Sequence, residues 1–143
     1  MVRLLACIAA HALLARLLPP WTVPNLTLIG LVQASGSSPG RWLPLSLIAG
    51  LSGAMWAVEG AGPLILSYLA AGGIVRGVSG QLDTAEPRVQ TMLAAALSVP
   101  LTAGWIWLDG HWSWTLAGCF LMHLVMTWCA ALLLQRRSAE VSG

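Results

Sequence analysis

The sequence predicts an all-α integral membrane protein, a bundle of six transmembrane helices. Three observations predict it. The 143 residues are 57% hydrophobic and only 8% charged, with a mean hydropathy of +0.78, whereas soluble domains carry about 25% charged residues. The apolar residues fall into six long runs joined by short polar hinges. The charges sit at the ends of those runs, as expected where a charge at mid-membrane costs about 3 kcal/mol or more. One polytopic domain occupies 1–143, and no stretch is long enough for a second, soluble domain.

The first run, 2–18, ends at Pro19-Pro20. Its Met1-Val2-Arg3 start resembles a signal-peptide n-region, and Leu4-Leu5-Ala6-Cys7 faintly resembles a lipoprotein box. The apolar part before Cys7 is too short for cleavage there, and Arg16 interrupts any later site. It is read as a membrane helix. The second run, 21–34, ends in the Ser35 to Gly40 turn. It is the shortest and is read as a span, with a re-entrant segment as the alternative. The third, 42–58, ends at Glu59-Gly60. The fourth, 61–78, carries Arg76 near its end. A polar loop from Ser79 to Arg88 follows, and Asp83, Thr84 and Glu86 before Pro87 read as a helix-start signal. The fifth run, 89–108, contains Pro100, which removes a helical N–H and is expected to kink it. The sixth, 111–134, ends at Gln135-Arg136-Arg137. A perpendicular span needs about 20 apolar residues. None of the runs alternates with the period of two that barrel strands require.

All seven basic residues are Arg. With six spans and a cytoplasmic N-terminus, the inside receives Arg3, Arg41, Arg76, Arg88, Arg136 and Arg137, and the outside receives Arg16. That asymmetry satisfies the positive-inside rule and favours an even number of spans, with both termini cytoplasmic. Glu59 and Asp109 then mark outer turns. Trp21, Trp112 and Trp114 fall at the outer interface and Trp42 at the inner one, where aromatic belts form.

Small residues recur every four positions. Ser46, Gly50 and Ala54 form one stripe on the third helix, and Ala49, Gly53 and Ala57 a second. Gly73 and Gly77 repeat the pattern on the fourth. Such stripes let helix backbones approach closely in lipid. Internal packing is the simpler use for them; docking of a partner's membrane helix is the other.

No constellation predicts catalysis, a cofactor or a metal. Cys7 with His11, and Cys119 with His123, each share a helix face at a spacing of four. In antiparallel helices each thiol lies about 6 Å from its histidine, but in opposite directions along the membrane normal. A joint tetrahedral site therefore does not form, and neutral histidines bonded inside the bundle are expected. His111 falls in an outer turn. Glu59 reads as a solvated helix end. Catalytic triads, phosphate-binding glycine loops and paired carboxylates are not found. The net charge of only +2 and the scattered Arg residues exclude nucleic acid as a natural partner.

At Pro24-Asn25-Leu26, and again at Gly50-Leu51, Gly62, Tyr68 and Leu69, the chain resembles the rod shape-determining protein MreD family over residues 20–78. Ala54 stands where that family's Asp is expected. The resemblance implies six spans in the bacterial inner membrane. It further implies a non-enzymatic scaffold of cell-wall elongation that binds other membrane helices, with an MreC-like protein or a peptidoglycan synthase as partner. The six-helix substrate-binding subunits of energy-coupling factor transporters are similar in size and span count, and imply the alternative of a solute-binding subunit. A small structural subunit of a larger membrane complex is a third reading.

The topology is checked by labelling intact cells with a membrane-impermeant thiol reagent. A cysteine introduced at Ser37 or Thr84 is expected to stay unlabelled, and one at Gly110 to react.

Overall fold

A short helix that touches each of the other five organises the chain. The computed structural model describes residues 1–55, 61–109 and 113–141, with side chains described over 1–55, 61–104 and 113–135. These residues form six helices and no strand: α1 (Val2–Leu17), α2 (Leu26–Ser37), α3 (Trp42–Ala54), α4 (Ala61–Val78), α5 (Pro87–Asp109) and α6 (Trp114–Val141). Single 3₁₀ turns at Pro20–Thr22 and Pro39–Arg41 lead into α2 and α3. Two helices, Ala61–Val78 and Trp114–Gln135, are long and apolar enough to cross a membrane.

Among the helix ends, the sequence reading was furthest off at the sixth segment, whose helix runs to Val141 rather than 134, and among the starts at the second. Its helix begins at Leu26 rather than Trp21, because Pro24 disfavours helical backbone in the residue before it and Asn25 supplies the cap. Asn25 Oδ1 accepts the Leu28 backbone N–H at 3.0 Å. Val23 is extended. The helix then runs on past Ala34 to Ser37. At about 1.5 Å per residue its 12 residues cover about 18 Å, well short of the ~30 Å hydrocarbon core. Residues 56–60, which hold Ala57 and Glu59, and residues 110–112, with His111 and Trp112, lie outside the described residues. So do the side chains of Trp105, Trp107, Asp109, Arg136 and Arg137.

The shortest helix is also the most enclosed. Helix α2 makes contacts with α1, α3, α4, α5 and α6. Leu28, Ile29, Leu31 and Val32 are fully buried, and no large apolar side chain of α2 is exposed. The five surrounding helices all turn large apolar side chains outward: Leu13 on α1, Leu51 on α3, Leu66 on α4, Met92 on α5 and Leu133 on α6 are exposed. Large exposed apolar patches mark contact with a membrane or with another protein.

The closest helix pairs are antiparallel, and glycines set the separation of α1 from α2 and of α3 from α4. A side chain on Gly30 of α2 would run into Cys7 and Leu4 of α1. On the α3–α4 pair, a Cβ at Gly50 would lie 2.9 Å from the Ile65 Cα, one at Gly53 would strike Leu64, and one at Gly72 would strike the Ser46 hydroxyl. The third helix therefore spends both of its small-residue stripes, through Ser46, Gly50 and Gly53, on α4 of its own chain. On α4 the close-contact position is Gly72. Gly73 lies under the Trp42 ring, and Gly77 faces open space. Ala49 is buried and Ala54 half-buried.

At the other end of α2, Gly36 is pressed against the α4–α5 loop, where a Cβ would meet the Thr84 carbonyl. Thr84 donates to the Gly36 carbonyl at 3.2 Å, and Gln90 Nε2 donates to the Thr84 carbonyl at 2.9 Å. Thr84 is buried, so a cysteine there is shielded whichever side it faces, and exposed Ser37 is the informative labelling position. Ser35 Oγ is the one buried side-chain polar atom left without a partner among the described residues.

The α3–α4 contact predicts a sharp steric response. Gly50→Val, which drives a side chain into the α4 backbone, is expected to destabilise the fold by about 1–3 kcal/mol. Gly77→Ala, facing open space, is expected not to destabilise it and to gain up to about 1 kcal/mol of helix propensity. Thermal unfolding in mild detergent checks both.

Candidate functional site

The non-helical lead-in to α2 is the polar centre of the molecule. Val23 and Pro24 are buried and Asn25 is half-buried, so their backbone groups need partners from the protein. Side chains of two distant helices provide them. His11 of α1 donates its Nδ1 hydrogen to the Pro24 carbonyl at 3.0 Å; a carbonyl can only accept, which fixes the tautomer. The Asn25 backbone N–H donates to Thr127 Oγ1 of α6 at 3.0 Å. The Val23 carbonyl lies beside His123, also of α6. Both histidines of the Cys-x-x-x-His pairs thus serve the same three-residue segment.

The Asn25 side chain ties in a further helix. Its Oδ1 accepts from the Tyr68 hydroxyl of α4 at 3.0 Å while also capping α2. Two residues 43 positions apart, each singled out by the sequence, meet here. Pro24 sets the extended entry and Leu26 opens the helix, packing partly buried against the core. The other motif positions serve elsewhere: Gly50 lies in the α3–α4 contact, Leu51 is exposed, and Gly62 has nothing near its Cα face.

Beside this knot lies a cavity of about 630 Å³. It sits at one end of the bundle, between the C-terminal halves of α1, α3 and α5 and the N-terminal halves of α2, α4 and α6. His11, Asn25, Thr27, Ser52, Tyr68, Thr102 and His123 contribute polar groups to its wall. Apolar wall comes from Ile8, Leu64, Leu101, Leu116 and Phe120, and Arg16, Pro20 and Trp21 also line it. This volume lies within the roughly 300–1,000 Å³ of small-molecule sites. The sequence does not reveal this convergence, because the contributing residues are scattered over all six helices, with no spacing to link them.

The cysteines do not join the histidines in a cluster. Cys7 packs toward Gly30, whereas Cys119 lines the cavity. Among the described residues, no three His, Cys, Asp or Glu side chains converge as metal ligands would. No reactive pairing of nucleophile and base appears among the described hydrogen bonds of the cavity wall. The Ser52 and Thr102 hydroxyls donate to helix carbonyls and the Tyr68 hydroxyl to Asn25. No family model, curated protein or solved structure matches the chain.

The knot predicts coupled losses. Asn25→Ala removes a helix cap, worth about 1 kcal/mol, and strands the buried Tyr68 hydroxyl at a further cost of about 1–3 kcal/mol. Tyr68→Phe is expected to cost about 1 kcal/mol, and the double variant Asn25→Ala with Tyr68→Phe less than the sum of the two. A double-mutant cycle read by unfolding in detergent measures the coupling.

Proposed function

We propose that the chain is a six-span scaffold of the bacterial inner membrane that works in cell-wall elongation, as MreD-like proteins do, by binding other membrane helices. Both termini lie in the cytoplasm. Its partner is a membrane protein of the MreC-like or peptidoglycan synthase kind, and the chain itself carries out no reaction. The single observation that carries this reading is the hydrogen bond between Asn25 and Tyr68. Both are positions at which the chain resembles the MreD family, and the fold brings the two together.

The packing supports a membrane setting. Polar side chains turn inward onto α2 and the cavity, and the outward faces of the other five helices carry Leu, Met and Val. The antiparallel course of the helices gathers Arg3, Arg41, Arg76 and Arg88 at one end and leaves Arg16 at the other, which is the distribution the positive-inside rule asks of a cytoplasmic N-terminus. Trp114, 90% exposed at the start of α6, then stands at the outer interface. The lipid-facing side chains of α1, α5 and α6 also offer area for a partner's helix. The α3 stripes are committed within the chain.

The cavity favours a second reading, a solute-binding subunit of the energy-coupling factor type. The two readings differ in what travels with the protein. A scaffold is expected to co-purify from native membranes in mild detergent with a wall-synthesis membrane protein, and its depletion to round a rod-shaped cell. Recovery of a shared ATPase module together with a stoichiometric vitamin, and no shape defect on depletion, would replace the scaffold by the transport subunit.

A further inference from the structure

We infer that the 630 Å³ cavity is a binding site for a neutral small molecule that carries several O–H or N–H donors beside an apolar body. The inference rests on the hydrogen-bond polarity of the wall and does not depend on the scaffold reading.

The wall groups spend their hydrogens inside the protein. Ser52 donates to the Ala49 carbonyl at 2.7 Å, Thr102 to the Ser98 carbonyl at 2.8 Å, and Tyr68 to Asn25 Oδ1 at 3.0 Å. His11 gives its Nδ1 hydrogen to Pro24, so Nε2 of the neutral ring is an acceptor. Each of these four residues keeps a lone pair that only a donor can satisfy.

Thr27 supplies an independent observation. It is 3% exposed and lines the cavity, and its hydroxyl makes no side-chain hydrogen bond among the described residues. Among those residues Ser35 Oγ alone is a fully buried side-chain polar atom without a partner, so the Thr27 hydroxyl is not sealed off, and a ligand in the cavity can reach it. The Asn25 Nδ2 group likewise makes no hydrogen bond among the described residues. The site therefore offers several acceptors, one amide donor and one hydroxyl of either sense.

Charge narrows the class. No carboxylate is found among the described wall residues, and Arg16 is present. A buried cation would find no counter-charge there. A neutral ligand with hydroxyl or amide donors meets the acceptors, and its apolar body meets Leu64, Leu101 and Phe120. Such a molecule could be drawn from the lipid, as a glycerol-headed amphiphile, or from the aqueous phase, as an aryl or alkyl polyol.

The test uses three probes on the full chain in detergent-free nanodiscs: 1-O-octylglycerol, its dimethyl ether, which has the same chain and no donor, and the water-soluble phenyl glucoside. Binding is read by a saturable rise in melting temperature and by Trp fluorescence, since Trp21 lines the cavity. Octylglycerol, phenyl glucoside or both are expected to bind saturably, and the ether is not. Response to octylglycerol alone points to a lipid-borne ligand, and response to phenyl glucoside to an aqueous one. Thr27→Val, which keeps the side-chain shape, is expected to weaken binding about tenfold, the equivalent of one lost hydrogen bond, while leaving the ligand-free melting temperature within error. Ala12→Phe, which narrows the cavity from α1, is expected to abolish binding. Equal responses to octylglycerol and its ether, no response to either donor-bearing probe, or undiminished binding to both variants would overturn the inference.

Discussion

Backbone amides buried away from water must be paired, and here that requirement falls on three residues. Val23, Pro24 and Asn25 enter the interior in non-helical form, so local backbone bonds pair only part of their groups. In hydrocarbon, exposed irregular backbone of this kind does not occur; it is tolerated only when protein encloses it. His11, Thr127 and Tyr68 reach this segment from α1, α6 and α4. The placement of those helices around α2 follows from the need to bring these side chains to it.

Glycine makes the enclosure compatible with dense packing. A central helix with five neighbours needs close approach on several sides, and bulky side chains would hold the backbones apart. Gly30 admits α1, Gly36 admits the α4–α5 loop, and Gly50, Gly53 and Gly72 let α3 and α4 close on each other. The cost of these glycines in helix propensity, about 1 kcal/mol each relative to Ala, is offset by backbone contact that no larger residue permits. The α5–α6 pair is held differently. Its polar ties are side-chain bonds, from Thr91 to Gln135 and from Trp128 to Ser98, and they depend on single hydroxyls rather than on surface shape.

The features legible in the sequence were those written in local composition. The span 61–78 is bounded by Gly60 and the Ser79 loop, and its helix begins and ends with it. The Arg pattern is likewise local in sequence. The second segment resisted, because a short run beginning Trp-Thr-Val-Pro scores as apolar throughout, while Pro24 and Asn25 redirect its first residues into an extended entry. On α3 the small-residue pattern falls on the face that meets α4, since a face four residues apart is a property of one helix. On α4 it pointed to Gly73 and Gly77 instead of Gly72, because which side faces α3 is decided by the partner. The cavity was invisible for the same reason: Thr27, Ser52 and Thr102 are unremarkable singly, and their meaning comes only from convergence.

The bond from Asn25 to Thr127 spans 102 positions, and this has a consequence for how the chain is made. During synthesis the entry to α2 emerges early, when only His11 of its partners exists. The Asn25 amide has no side-chain acceptor until α6 has been made. Until then the knot around Val23, Pro24 and Asn25 stays open, with a polar group left unpaired. The last helix therefore acts as the closing step of folding. A chain interrupted before residue 127 retains an unpaired irregular segment, a mark by which a quality-control protease can tell an unfinished product from a complete one.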